Sequence, residues 1–185
     1  MRKGGLFVGR LSHEKGIAVL LAALDRSPGL IIDVIGNGPE AQAVAAHAQL
    51  RCHGLKEQDA VLDAMRRAAY LILPSVTYEN FPRSIVEAFA CGLPVIASRL
   101  GSLAEIVEDG RTGLLFGPGS AEDLALKMAW AEANPAAMRG MGQNARCEYE
   151  MKYTADINYR QLMSIYEEAV ACARESRDQK PMPPR

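Results

Sequence analysis

The sequence predicts an α/β domain: a Rossmann-like, doubly wound parallel sheet of about six strands with C-terminal helices. Short apolar runs typical of fully buried strands alternate with longer segments whose apolar residues recur at helical spacing. The connections between them are short, as βα units require. After residue 116 the pattern is helical only, which adds the C-terminal helices.

The first half of the chain supplies three strands and three helices. Each strand is a brief apolar run, and the first helix carries an apolar face from Ile17 to Leu24. The predicted strands are residues 6–8, 30–35 and 51–53, and the predicted helices are residues 14–24, 39–49 and 58–69.

The second half continues the alternation and then turns helical. Pro82 suits a first helical turn and Gly92 ends that helix, while Pro135 suits another helix start. The predicted strands are residues 70–73, 94–97 and 114–116, and the predicted helices are residues 82–91, 103–108, 121–133, 135–149 and 155–175.

Length and composition agree with a single domain. The chain has 185 residues, of which 49% are hydrophobic and 23% charged, enough for one sizeable core. We expect that domain to span residues 1–175. The remaining residues, 176–185, are polar with three prolines and are predicted to form a disordered tail.

Charge and cysteine usage exclude several classes of protein. A net charge of -1 gives no electrostatic reason to expect nucleic acid or an anionic membrane. The four cysteines lie far apart, without the Cys-x-x-Cys or histidine pairing of a zinc site. With no secretory signal and no apolar run long enough to cross a bilayer, the sequence predicts a cytoplasmic protein with reduced cysteines.

Two carboxylates flank the start of the helix predicted at 82–91. Glu79 falls in the loop after the strand at 70–73, and Glu87 falls on the helix itself. Ligands of open α/β sheets bind at that carboxyl edge, and carboxylates accept hydrogen bonds from the vicinal hydroxyls of a ribose or hexose. The spacing alone is also typical of a solvated helix residue and a loop charge.

The surrounding residues favour the ligand. The run Glu-Asn-Phe-Pro-Arg-Ser-Ile-Val-Glu-Ala at 79–88 resembles the signature of retaining glycosyltransferases of the GT-B fold, in particular glycosyltransferase family 4. The resemblance implies that Glu79 binds hydroxyls of the transferred sugar, with Asn80 and Phe81 beside it. It assigns the ribose hydroxyls to Glu87.

A second match lies at residues 6–16, which resemble that family's first strand, loop and helix start. Arg10 and Lys15 place two cations beside a loop containing Gly9, at a helix amino terminus that suits a diphosphate. By the resemblance, both bases hold the donor diphosphate and stabilise the charge that builds as the glycosidic bond breaks. Arg10, Lys15 and Glu79 are thus the predicted catalytic residues.

Two further loops agree with the family. Gly36 and Gly38 follow the strand at 30–35, in a loop that lies near the nucleotide in the resembling enzymes. Gly101, Ser102 and Leu103 match a loop whose backbone amides approach the donor. The family usually has a second glycine at position 102 and a glycine at position 80, where this chain has serine and asparagine.

The resemblance covers nearly the whole chain but only half of a GT-B enzyme. It implies a donor-binding half, with the N-terminal acceptor-binding domain absent, and Met1 just before the first strand favours a truncated or dissected domain. The substrate would be a nucleoside-diphosphate sugar, with no cofactor. Without an Asp-x-Asp motif we expect no obligatory divalent metal. Peripheral membrane association of the full enzyme stays open.

Two alternatives remain at the level of sequence. Nucleotide-sugar 2-epimerases share the two-domain fold and need a diphosphate site, although the pairing of two bases with two glutamates favours transfer. A non-catalytic module that binds nucleotide sugar or a protein partner is the other. The nucleotide base, the sugar and the acceptor have no readable code in the loops.

Overall fold

The computed structural model describes residues 2–178 and shows a parallel sheet with helices on both faces. The strand order is 3-2-1-4-5-6 in chain numbering, and every pairing is parallel. The predicted doubly wound Rossmann-like sheet is therefore confirmed. The six strands are β1 (Gly5–Val8), β2 (Ile32–Ile35), β3 (Leu50–Cys52), β4 (Tyr70–Leu73), β5 (Val95–Ser98) and β6 (Gly113–Phe116).

The helices fall in the predicted order between and after the strands. Most of their bounds lie within a few residues of the prediction. They are a 3-10 turn at His13–Lys15, α1 (Ile17–Leu24), α2 (Ala41–Ala46), α3 (Gln58–Arg67), α4 (Arg83–Ala90), α5 (Ser102–Ile106), α6 (Ala121–Ala133), α7 (Pro135–Lys152) and α8 (Ala155–Asp178).

The core has two layers because side chains alternate along each strand. Phe7 points into the layer formed with α1 and α6, and Leu6 into the layer formed with α3, α4 and α5. Helix α7 contributes Met138 to the first layer and Ala145 to the second. Both sheet faces are thus covered, which explains why the strands are almost entirely apolar.

The strand order changes direction between β1 and β4. The chain winds from β1 through β2 to β3 on one side, and from β4 through β5 to β6 on the other. At such a switch point the loops leaving the two central strands part and form a crevice. The loops after β1 and β4 carry the predicted bases and Glu79.

The helix predicted at 14–24 is interrupted at Gly16. This glycine has a φ of 73°, which separates the 3-10 turn from α1. A Cβ at this position would lie 1.8 Å from the carbonyl oxygen of Pro74. The amide of Val76 also donates to the carbonyl of Glu14 at 3.0 Å. The break therefore lets the loops after β1 and β4 touch.

The second strand and helix are shorter than predicted. Strand β2 begins at Ile32 rather than at residue 30, because the amide of Leu30 closes a turn onto the Ser27 carbonyl at 3.3 Å. Helix α2 covers six residues instead of the predicted 39–49. The amide of Glu40 donates instead to the Leu11 carbonyl at 2.9 Å, so this segment is fastened to the loop after β1.

The last two helices are longer than predicted. Helix α7 reaches Lys152, three residues beyond the predicted end at 149. Helix α8 reaches Asp178 and so enters the segment predicted as a disordered tail, residues 176–185. The rest of that tail, residues 179–185, lies outside the described residues.

Candidate functional site

Glu79 and Lys15 meet where the loops after β1 and β4 touch. The Lys15 ammonium nitrogen lies 2.7 Å from Oε2 of Glu79, and the two side chains are 31% and 14% exposed. The other carboxylate oxygen, Oε1, accepts a hydrogen bond from the hydroxyl of buried Ser75, which follows β4 after Pro74. Both oxygens of Glu79 are therefore partnered in a partly buried position.

A third loop reaches the same glutamate through its backbone. The hydroxyl of Ser102, at the start of α5, donates to the carbonyl oxygen of Glu79 at 2.7 Å. Its neighbour Gly101 has a φ of 49°, and a Cβ there would lie 2.7 Å from the ring of Tyr78. Glycine therefore permits the loop after β5 to pack against the loop after β4.

Leu103 serves the core rather than the surface of this site. Its side chain is fully buried, and its amide donates to the Leu100 carbonyl at 3.2 Å. The sequence predicts Leu103 as one of three backbone donors to the ligand, but its amide is already bonded within the chain.

Arg10 lines a cavity at the same carboxyl edge of the sheet. It follows Gly9 at the end of β1, is exposed, and donates no hydrogen bond to another residue within 2–178. The cavity measures about 500 Å³ and is bounded by the loops after β1, β2 and β3, including Gly36, Gly38 and Lys56. A guanidinium without a bonded partner suits an anion in this cavity.

Glu87 faces a different space. It accepts a hydrogen bond from the side-chain amide of Gln58 at 3.0 Å and lies 3.3 Å from the guanidinium of Arg83. It lines a groove of about 760 Å³ between α3, α4 and the junction of α7 with α8. Phe81 lines the same groove and contacts the ring of Tyr153, with centroids 6.2 Å apart.

The predicted residues therefore fall into three groups. Glu79 joins Lys15 and Ser102 at the switch point, and exposed Asn80 follows it in the loop. Arg10 lies with the glycines of two loops. Glu87 and Phe81 lie in the groove. The assigned roles stay predictions.

Ser75 and Gln58 are among the residues that contact the predicted glutamates but were missed in the sequence. Ser75 carries a signal, because a hydroxyl at the carboxyl end of a buried strand can reach a ligand or a site side chain. Gln58 carries none, since its bond to Glu87 spans 29 positions and depends on how α3 packs beside α4.

Two further properties concern the described residues as a whole. Between residues 2 and 178, no three His, Cys, Asp or Glu side chains come together in a way that could hold a metal ion. None of the helices in this part of the chain is long and apolar enough to cross a membrane.

Comparisons with known proteins agree on one family. A family model described as glycosyl transferases group 1 matches residues 3–148. An uncharacterized glycosyltransferase of Methanocaldococcus jannaschii is 32% identical over 89% of this chain and 48% of its own length. Glycogen synthase of Mycobacterium tuberculosis is 29% identical over 96% of this chain and 44% of its own.

Solved structures show the same fold. Sucrose-phosphate synthase from Thermosynechococcus elongatus superposes with a TM-score of 0.83 at 27% identity, over 92% of this chain and 46% of that one. HepE from Anabaena, solved in complex with UDP, gives a TM-score of 0.79 at 24% identity, over 90% and 49%. The chain spans about half the length of the curated relatives it matches. It belongs to the glycosyl transferases group 1 family.

Proposed function

We propose that this chain is the donor-binding half of a retaining glycosyltransferase, which moves a sugar from a nucleoside-diphosphate sugar to an acceptor. The observation that carries the proposal is the 2.7 Å contact of Lys15 with Glu79 at the switch point of the sheet. It sets a cation for phosphate beside a carboxylate for sugar hydroxyls, at the edge where such sheets bind ligands.

The two bases would take the diphosphate. Arg10 offers a forked guanidinium with no hydrogen-bonded partner within 2–178, and Lys15 offers an ammonium with three donors. Negative charge develops on the departing diphosphate as the glycosidic bond breaks. Cations that contact the diphosphate in the bound donor complex stabilise the transition state more than the bound donor.

The two glutamates would bind different parts of the donor. Glu79, beside the bases, accepts hydrogen bonds from hydroxyls of the transferred sugar and fixes its orientation for attack. Glu87, which lines the groove between α3, α4 and the junction of α7 with α8, takes the ribose hydroxyls. The amides of the loop at Gly101 and Ser102 approach the donor phosphates.

Transfer also needs an acceptor held in reactive geometry beside this donor, and we assign that task to the N-terminal half of the full enzyme. The chain's relatives are about twice as long as the part it matches. The isolated chain should therefore bind a donor but transfer its sugar at no appreciable rate, because catalysis requires both reactants in one geometry.

Calorimetric titration tests the binding role. UDP and UDP-glucose are the first ligands, since HepE, which shares the fold, was solved with both. The GDP and ADP pairs complete the panel, with glucose as the control. We expect one nucleoside diphosphate and its sugar conjugate to bind while glucose does not. Failure to bind any of the nucleoside diphosphates would refute the proposal.

Glutamine variants separate the roles of the glutamates. Glu87→Gln should weaken the diphosphate and its sugar conjugate alike, because both carry the ribose and a neutral amide loses charge-assisted hydrogen bonds. Glu79→Gln should not weaken the free diphosphate and should reduce only the extra affinity contributed by the sugar. Equal losses with both ligands for Glu79→Gln would refute this division of roles.

Product analysis of the full-length enzyme tests transfer. Proton NMR of the fresh product reports the anomeric configuration, and retention is the expected result. Release of free nucleoside diphosphate with epimerised sugar would indicate the epimerase instead. Binding without turnover in the full-length protein would indicate a non-catalytic module.

A further inference from the structure

Glu79 is anchored by side chains from three different loops. Its Oε2 contacts the Lys15 ammonium at 2.7 Å, its Oε1 accepts from the Ser75 hydroxyl, and its backbone carbonyl accepts from Ser102 at 2.7 Å. The loops follow β1, β4 and β5. Two of these anchors are neutral hydroxyls and one is a cation.

A diphosphate competes for only one of the three anchors. Phosphate oxygens attract an ammonium more strongly than a single carboxylate does, because they carry more negative charge. Lys15 is 31% exposed on a flexible stem, so its ammonium can move toward an incoming anion. Ser75 is buried and its hydroxyl already donates to Glu79.

On the basis of the proposed function, we propose that Ser75 and Ser102 are positioning residues. They keep Glu79 in place while Lys15 exchanges this carboxylate for the donor diphosphate. The exchange frees Oε2 of Glu79, which then accepts a hydrogen bond from a hydroxyl of the transferred sugar. Diphosphate binding and sugar recognition are thereby coupled through one side chain.

Ser102 gives this chain an anchor that a glycine could not supply. A glycine at position 102 would have no side-chain hydroxyl to reach the Glu79 carbonyl. The serine also follows Gly101, whose φ of 49° brings the loop after β5 against Tyr78 in the loop after β4. The glycine permits the close approach, and the serine adds a hydrogen bond across it.

The test measures two affinities for each variant by calorimetry. The ligands are UDP and UDP-glucose, or the GDP or ADP pair if the panel selects it, and the readout is the ratio of the two dissociation constants. In Ser75→Ala, and in Ser102→Ala, which keeps the backbone amide that approaches the donor phosphates, we expect the diphosphate affinity to stay within about twofold of the parent. The extra affinity from the sugar should fall roughly five- to tenfold, the loss of one hydrogen bond to a poorly held carboxylate.

Two further variants serve as controls. Ser102→Thr keeps a hydroxyl and should retain the parent ratio. Ser120→Ala removes the hydroxyl that caps α6 by accepting from the Asp123 amide at 3.2 Å. It should lower the melting temperature without changing the ratio, which separates lost stability from lost positioning.

The diphosphate affinity of Glu79→Gln tests the exchange at Lys15 separately. Without the carboxylate, Lys15 has no ion pair to leave, so we expect the diphosphate to bind about two- to fivefold more tightly. Weaker diphosphate binding would show instead that Glu79 holds Lys15 in place for the phosphate, and would overturn the exchange.

Other outcomes also decide against the proposal. Parallel losses of both affinities in the serine variants would mean a purely structural role, and unchanged affinities for both ligands would mean no role. A parent protein that binds the diphosphate without any gain from the sugar would refute the positioning and leave the diphosphate site intact. Failure to bind any diphosphate would refute the proposed function itself.

Discussion

The two edges of the sheet use cations in opposite ways. At the amino edge, Arg2 donates to the carbonyl oxygens of Gly92 and Cys91, at 2.5 Å each, and Arg146 donates to that of Ala90. These acceptors lie at the end of α4, where a helix leaves carbonyls unsatisfied. At the carboxyl edge, Arg10 donates no hydrogen bond to another residue within 2–178, and Lys15 contacts a side chain.

The difference shows which cations are available to a ligand. Helix carbonyls cannot move away, and cations at a helix carboxyl end are favoured by its dipole, so Arg2 and Arg146 stabilise the fold. Burial also lowers the pKa of Arg2, as expected for a cation removed from water. A carboxylate partner such as Glu79 can be exchanged for a more highly charged anion. Both edges carry basic residues. The hydrogen-bond acceptor of each residue determines whether it stabilises the fold or is available to a ligand.

The largest expected effect is a difference in protein stability between variants of two arginines. Arg2→Ala should lower the free energy of unfolding by about 2 to 3 kcal/mol, because two hydrogen bonds from a charged donor are lost and helix carbonyls are left without partners. Arg10→Ala should change it by less than about 0.5 kcal/mol, as for an exposed surface residue. Denaturant titration of both variants measures this contrast, and equal losses would contradict it.

The same comparison between a structural group and a ligand-binding group applies to carboxylates, with a smaller expected effect on stability. Glu148 on α7 is 8% exposed and contacts Lys152 and Arg111, both at 2.7 Å. Hydrogen bonds from Lys152 and then from Arg111 lower the pKa of this carboxyl group. Its charged form therefore stabilises the fold above the unfolded pKa of about 4.3, and this contribution is lost as the pH falls through the lowered pKa.

The variant that tests this contribution of the Glu148 charge is Glu148→Gln. It should cost about 1 to 2 kcal/mol of unfolding free energy at pH 7, the loss of a charged hydrogen-bond acceptor. The difference from the parent should shrink as the pH falls below about 4.3 and through the lowered pKa of Glu148, because protonation leaves its carboxyl group neutral like the glutamine amide. Stability curves across pH measure it, and a difference that stayed constant down to pH 3 would contradict a structural role for the charge.

The strands could be predicted closely because buried parallel strands are short apolar runs. Residues 70–73 match β4 at both ends. The apolar face from Ile17 to Leu24 indicates α1, but the approach of Pro74 to Gly16 from a distant part of the chain has no sequence signal. The helix predicted at 39–49 begins late for a similar long-range reason, because the Glu40 amide bonds to the Leu11 carbonyl.

The candidate site could be predicted as a set of residues at one edge, but not as an arrangement. Strand ends place Lys15 and Glu79 at the carboxyl edge, and the structure brings them into contact. Which oxygen Ser75 binds, and the bond of Ser102 to a backbone carbonyl, depend on loop conformations without a sequence code. The separation of Glu87 from the cavity beside Arg10 depends on how α4 packs among its neighbours.

The central claim is that the carboxyl-edge cations bind the donor diphosphate, and the affinity of matched cation variants tests it most directly. Calorimetry with the selected nucleoside diphosphate compares Arg10→Ala and Lys15→Ala with Arg139→Ala, an exposed arginine at the amino edge. We expect each of the first two to lose about 1 to 3 kcal/mol of binding free energy, while Arg139→Ala binds like the parent. Equal affinities in all three variants would contradict the claim and make Arg10 and Lys15 ordinary surface charges.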